Sequence, residues 1–168
     1  PPLVREGSKV RPDWLYGFLL NPSKIRPNVA MRMPRFTMNR ADARALTDYF
    51  AAVAGSDYPY TALSQPGENA TIPIERLDQA WSVLTDRTTF CAKCHAVGEY
   101  QAVGSDAMNL APNLAGVAQR IRPEYLRRWI AAPKSIVPYT GMPVNFPPEG
   151  PPLGQDLLPG ESQEQIDA

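Results

Sequence analysis

The sequence predicts an all-α protein built as two tandem halves, the first a partial copy of the second. Three observations carry that prediction. Nineteen prolines divide the 168 residues into stretches in which apolar residues recur at helical spacing. Around the one cluster of reactive side chains, both cysteines and the single histidine at 91–95, no run of alternating β-branched residues signals strands. Residues 1–27 also align with 112–138 at a constant offset of 111, which marks an internal duplication.

Each element follows from its own residues. Pro12 suits the first turn of a helix that ends before Pro22, with Trp14, Leu15, Phe18 and Leu19 on one stripe. Asn39 can cap the next helix, in which Leu46, Tyr49, Phe50 and Val53 recur at helical spacing. A third stretch carries Leu77, Trp81 and Leu84 towards the cysteines, and Pro123 opens a fourth with Leu126, Trp129 and Ile130 on one face. Core packing is the expected role of all four stripes. "SQEQIDA" at 162–168 starts with the Ser162 and Gln165 spacing of a capping box but ends in under two turns, too short for a stable helix alone.

The expected organisation is a partial repeat at 1–54, a linker at 55–74 and a complete domain at 75–168 with a proline-rich tail from 146. The linker holds the Gly, Pro and Ser-bearing segment "GSDYPYTALSQPGENATIP", including an acceptor-like Asn69-Ala70-Thr71 to which no role is assigned. "FPPEGPPLGQDLLPG", 146–160, is expected to run extended over the surface, as a connector or as a docking strap for another subunit.

Composition narrows the classes of function. Seventeen basic residues balance 17 acidic ones, so no global field argues for nucleic acid or an anionic membrane. The longest apolar stretch, "WLYGFLL" at 14–20, is far below the roughly 20 residues of a membrane span. The chain begins on proline without a signal peptide, which reads as a mature or excised segment. No Ser-His-Asp set, paired-carboxylate pattern or spare histidine for acid–base work is found.

"FCAKCHAVG", 90–98, is the informative stretch. Zinc would need further ligands, since Cys91, Cys94 and His95 are the entire Cys and His supply and a closed site wants four. A thioredoxin-like redox pair uses the same spacing inside a strand-rich unit, and a structural disulfide across so short a loop constrains the unfolded chain little. Covalent haem attachment is the reading for which C-x-x-C-H is the signature.

From this motif onward, over residues 75 to 146, the chain resembles a class I cytochrome c. "LAPNLAGVAQR" at 110–120 is similar to the family's proline-asparagine-leucine segment, and "YTGMP" at 139–143 to its distal-ligand loop. The resemblance implies that Cys91 and Cys94 are thioether anchors, His95 the proximal ligand and Met142 the distal one; weighed from the residues, Met108 is the main competitor for that place, followed by an open or water-bound iron. It further implies a hydrogen bond from His95 to the Pro112 carbonyl, a haem pocket that includes Leu114 and Trp129, and propionates paired by Arg120, Arg122 or Arg127. An extracytoplasmic setting, the bacterial periplasm or the outer face of a membrane, comes with the family. Read from the residues alone, Met142 is one of five methionines, set apart by a Gly-Met-Pro turn in which glycine allows close backbone approach and proline stiffens the loop.

The duplication extends the reading to the first half. Arg11, Pro12, Leu15, Pro22, Ile25 and Pro27 meet Arg122, Pro123, Leu126, Pro133, Ile136 and Pro138. Met33, followed by Pro34, matches Met142 and Pro143 if two extra residues are allowed, while Met31 matches without a gap. The first copy carries no C-x-x-C-H. Either the chain is part of a longer diheme protein, in which Met33 ligates a second haem attached through other residues, or the first copy is a haem-free support. The sequence favours the former and expects an apolar cavity at Met33 walled by Trp14 and Phe18.

The function expected is electron transfer by a His/Met-ligated haem c, as a non-enzymatic carrier in a larger respiratory or photosynthetic chain with redox proteins or neighbouring subunits as partners. The alternatives are a haem-based catalytic or ligand-sensing domain with a labile distal site, or a redox-silent module of a complex.

Overall fold

The structure, a computed structural model, describes residues 3–27, 29–30, 32–56, 58–59, 72–85, 91–101, 111–147, 149 and 162–167. Met31, Met108, Asn69-Ala70-Thr71, most of the linker and most of the proline-rich tail lie outside the described residues. Helices follow in the order α1 (Glu6–Lys9), α2 (Pro12–Leu20), α3 (Arg40–Val53), α4 (Ile74–Thr85), α5 (Val117–Arg120), α6 (Pro123–Ala131), α7 (Pro133–Ile136) and α8 (Ser162–Asp167). Among the described residues there are isolated β-bridges and no strand, so the protein is all-α. Contacts divide it into two units, Pro1–Asn69 with Gly116–Tyr125, and Ala70–Ala115 with Leu126–Ala168.

In the first unit α3 packs on α1 and α2, and α2 meets α5. Proline sets the start of α2: Pro12 occupies the first turn, where its missing N–H costs no intrahelical bond. Leu15 and Leu19 reach the core while Trp14 and Phe18, one turn apart, stack on each other at its edge with ring centroids 4.7 Å apart.

Helix α3 begins at a complete capping box, with Asp42 N–H donating to Asn39 Oδ1 at 2.9 Å and Asn39 N–H donating to Asp42 Oδ2 at 3.1 Å. Asn39→Ala removes an acceptor for an otherwise unsatisfied helix-end N–H and is expected to cost about 1 kcal/mol, read from a urea melt. The face that α3 buries is not the predicted one. Ala43, Thr47 and Ala51 are 0%, 1% and 2% exposed, whereas Leu46, Tyr49 and Val53 face solvent. Small side chains win because the helices approach closely. At Gly7 a Cβ would sit 1.9 Å from the Phe50 carbonyl oxygen, so no side chain fits between α1 and α3 there. Thr47, buried on the same face of α3 as Ala43 and Ala51, satisfies its hydroxyl by donating to the Ala43 carbonyl at 2.9 Å.

The second unit is organised around Val83 of α4 and Phe146, both 5% exposed, with Cys91, Ile130 and Ile166 packed against them. Here too the predicted stripe of α4 differs from the buried one, since Leu77 and Trp81 are exposed and Val83 is inside. The last short helix is held by partners that the local sequence does not reveal. Ser162 Oγ donates to the Pro147 carbonyl at 2.7 Å, Arg127 pairs with Asp167 at 2.8 Å, and Arg76 bonds the Asp167 carbonyl. Tertiary contacts therefore supply what six residues of helix cannot.

Two pairs of elements coincide at the offset of 111. Helix α1, Glu6–Lys9, maps onto α5, Val117–Arg120, and α2, Pro12–Leu20, maps onto α6, Pro123–Ala131, residue for residue at both ends. The third pair does not, because the residues matching α7 contain no helix.

Candidate functional site

The C-x-x-C-H residues form one tight turn. Cys91–Lys93 is a 3₁₀ turn closed by Cys94 N–H to the Cys91 carbonyl at 3.1 Å and His95 N–H to the same oxygen at 2.8 Å. The geometry brings two thiols and an imidazole within a single turn of backbone. Ala92, 1% exposed, pins the turn to the interior. Cys91 and Cys94 are half-buried free thiols. Burial pushes the Cys91 thiol above its ordinary range, partly offset by a backbone hydrogen bond, and the neighbouring Cys94 raises it further.

Residues 111–114 run beside this turn and are fastened to it. Ala111 N–H donates to the Cys94 carbonyl at 2.8 Å, and Leu114 N–H donates to the Ala96 carbonyl at 2.9 Å, on either side of the His95–Ala111 bridge. The hydrogen bond implied between His95 and Pro112 is present: Nδ1 lies 2.6 Å from the carbonyl oxygen. A carbonyl only accepts, so Nδ1 carries the proton and the imidazole lone pair is on Nε2. This is the tautomer a metal-binding histidine needs, fixed by an outer partner that also raises its basicity.

Asn113, between the two predicted residues, does more than the sequence assigned to it. Its Oδ1 accepts from Gly98 N–H at 3.0 Å and Ala115 N–H at 2.9 Å, while Nδ2 donates to the Gly98 carbonyl at 2.8 Å. One side chain thus joins both segments around His95. Gly98 has φ 65°, a left-handed conformation that favours glycine at the exit of the turn. Asn stands in the quoted proline-asparagine-leucine segment, which was the available signal.

Met142 is half-buried on a loop shaped by Thr140, whose N–H donates to the Val137 carbonyl at 3.0 Å and whose hydroxyl accepts from Met142 N–H at 3.2 Å. No described atom lies within 4 Å of a Cβ placed at Gly141. Trp129 is half-buried on α6, and its neighbour Ile130 joins the cluster behind Cys91. Arg120 belongs to the first unit, with its guanidinium 6.0 Å over the Trp14 ring centroid. Arg127 is paired with Asp167.

Compared with family models, curated proteins and solved structures, the chain matches none.

Met33 lines a half-open cavity of about 700 Å³ in the first unit, together with Asn21, Pro22, Lys24, Arg32, Pro34 and Arg35. The expected apolar walls of Trp14 and Phe18 are not among its lining. Three cations and a thioether border it instead. Among the described residues, no three His, Cys, Asp or Glu side chains group to hold a metal ion. The donor types gathered on the Cys91–His95 turn, two thiols and an imidazole with its lone pair on Nε2, are those a covalently attached porphyrin iron would use.

Proposed function

We propose that the protein transfers electrons through a haem c attached at Cys91 and Cys94, whose iron His95 and Met142 would hold. The observation that carries this is the His95–Pro112 hydrogen bond at 2.6 Å, made within a C-x-x-C-H turn. Bound haem supplies a one-electron iron couple. The chain's own residues do the rest. The Cys91–Lys93 turn fixes two attachment points beside the ligating imidazole, Pro112 and Asn113 hold that imidazole in place, and Val83, Phe146 and Ile130 exclude water behind Cys91. A thioether of Met142 on the iron would raise its potential, and filling that position would favour electron exchange over catalysis or sensing.

On this reading the two halves are tandem cytochrome c repeats, supported by the coincident ends of α1 with α5 and α2 with α6. Met33 then serves a second haem attached through sequence outside this chain. Partners are redox proteins or subunits of an electron-transfer complex, and the setting is extracytoplasmic. No described helix is long and apolar enough to cross a membrane.

A pyridine haemochrome assay with intact mass tests the attachment. The expected result is a haem that stays with the chain on a denaturing gel, with neither thiol open to alkylation. Haem released into acid-acetone, or two alkylated cysteines, would refute covalent attachment.

A further inference from the structure

The direction of the Pro112 carbonyl decides which nitrogen of His95 keeps its proton, so what holds that carbonyl in place matters. Residues 111–114 are tied to the Cys91–His95 turn at Ala111, whose N–H donates to the Cys94 carbonyl at 2.8 Å, and at Leu114, whose N–H donates to the Ala96 carbonyl at 2.9 Å. Between these bonds Pro112 has no N–H to offer, and its carbonyl belongs to the planar peptide unit it shares with Asn113. The carbonyl can swing off His95 Nδ1 by turning that plane, which rotates the backbone of Asn113 against its own side chain.

That side chain is held at three points. Its Oδ1 accepts from Ala115 N–H, a local turn that restricts the Asn113 backbone, and also from Gly98 N–H. Its Nδ2 donates to the Gly98 carbonyl, so both polar groups of Gly98 are paired with one amide. Gly98 is a firm anchor because it sits inside a turn closed by two backbone bonds between Val97 and Tyr100, at 2.9 and 3.1 Å. Asn113 itself is exposed, so its side chain fills no core. Its hydrogen bonds are what it contributes. An amide is required for the full set: aspartate lacks the donor and alanine lacks everything.

We infer that Asn113 is a positioning residue for His95. Locked on Gly98 and Ala115, it holds the Pro112 carbonyl against Nδ1, which keeps the ring proton there, leaves the Nε2 lone pair free to ligate, and strengthens the imidazole as a donor. The effect on a bound iron rests on the function proposed above; the place of the ring proton does not.

Nuclear magnetic resonance of the full chain, labelled with nitrogen-15 and reduced if it carries haem, tests this directly. His95 is the one histidine of the sequence, so its ring signals need no sorting. In the wild type the Nδ1 proton should be present and slow to exchange with solvent. Asn113→Ala should speed that exchange about tenfold, and Asn113→Asp, which keeps the accepted bonds and loses the donor, should fall between. Asn39→Ala, which removes the capping box of α3 in the other unit, is the control for a loss of stability elsewhere and should change nothing at the ring. If haem is bound, the reduction potential should rise in Asn113→Ala and stay put in the control, because a weaker hydrogen bond leaves a less basic ligand. If the haemochrome assay finds no haem, the proposed function fails while the ring still reports: the proton should lie on Nδ1 in the wild type and move towards Nε2 in Asn113→Ala. A folded Asn113→Ala with wild-type exchange and ring-proton position overturns the inference, as does an equal change in the control. Should the alanine variant unfold, Asn113→Asp decides on the same readout.

Discussion

Gly7→Ala is expected to destabilise the protein by roughly 2–3 kcal/mol, the upper part of the range for overpacking a closely packed core. The new methyl carbon would lie 1.9 Å from the Phe50 carbonyl oxygen and 2.5 Å from its carbon, both backbone atoms of α3. A rotamer change cannot relieve a clash between a Cβ and a helix backbone. Helices α1 and α3 must move apart, and the contacts of Ala43, Thr47 and Ala51, all nearly inaccessible, loosen with them. Gly17→Ala is the internal control. It lies in α2 with open space around its Cβ position, and helix propensity alone predicts a gain of up to about 1 kcal/mol. Urea melts of the two variants should move in opposite directions; equal midpoints would contradict the close approach at Gly7.

Met142→Ala is expected to lower the reduction potential by on the order of 0.1 V, a fraction of the roughly 0.8 V span commanded by axial ligands. Loss of the thioether should also abolish the red charge-transfer band of the oxidised protein and admit carbon monoxide, which the wild type should bind poorly. The Met142 loop is tied by Thr140 and not by contacts at Gly141, so the alanine variant should keep its helices and report the ligand alone. Rapid carbon monoxide binding by the wild type, with an unchanged spectrum in the variant, would transfer support to the ligand-sensing alternative. Met33→Ala offers the comparison for the first half: a second spectral component should disappear only if Met33 ligates a second iron.

The starts of the helices were legible because their signals are local. Pro12, Pro123 and Asn39 each act within one turn, and each stands where its chemistry requires. The attachment motif was legible for the same reason, as five consecutive residues fix a turn. Which face a helix buries was less so. In α3 the apolar stripe of Leu46, Tyr49 and Val53 outranked Ala43, Thr47 and Ala51 by hydrophobicity, yet interhelical distance decided the matter. That distance depends on Gly7, more than 30 residues away, and no periodicity encodes it. The role of Asn113 was hidden likewise, because its partners at Gly98 and Ala115 emerge only when two loops are laid side by side. The bridge between Val10 and Ile121 left no strand pattern, being one residue pair wide.

That single crossing also bears on how the chain acquires its fold. The first unit is discontinuous: it is completed by Gly116–Tyr125, and Val10 cannot meet Ile121 until the intervening chain has been made. Closing a flexible loop of 111 residues carries a length-dependent entropic cost of about 4 kcal/mol. So non-local a contact slows folding relative to helix pairs that are neighbours in sequence. During synthesis the N-terminal helices therefore wait, with the inner face of Val10 uncovered, while the Cys91–His95 turn emerges ahead of the segment that covers it. A protease cut in the 55–74 segment would accordingly sever the chain without releasing the first unit as a complete body.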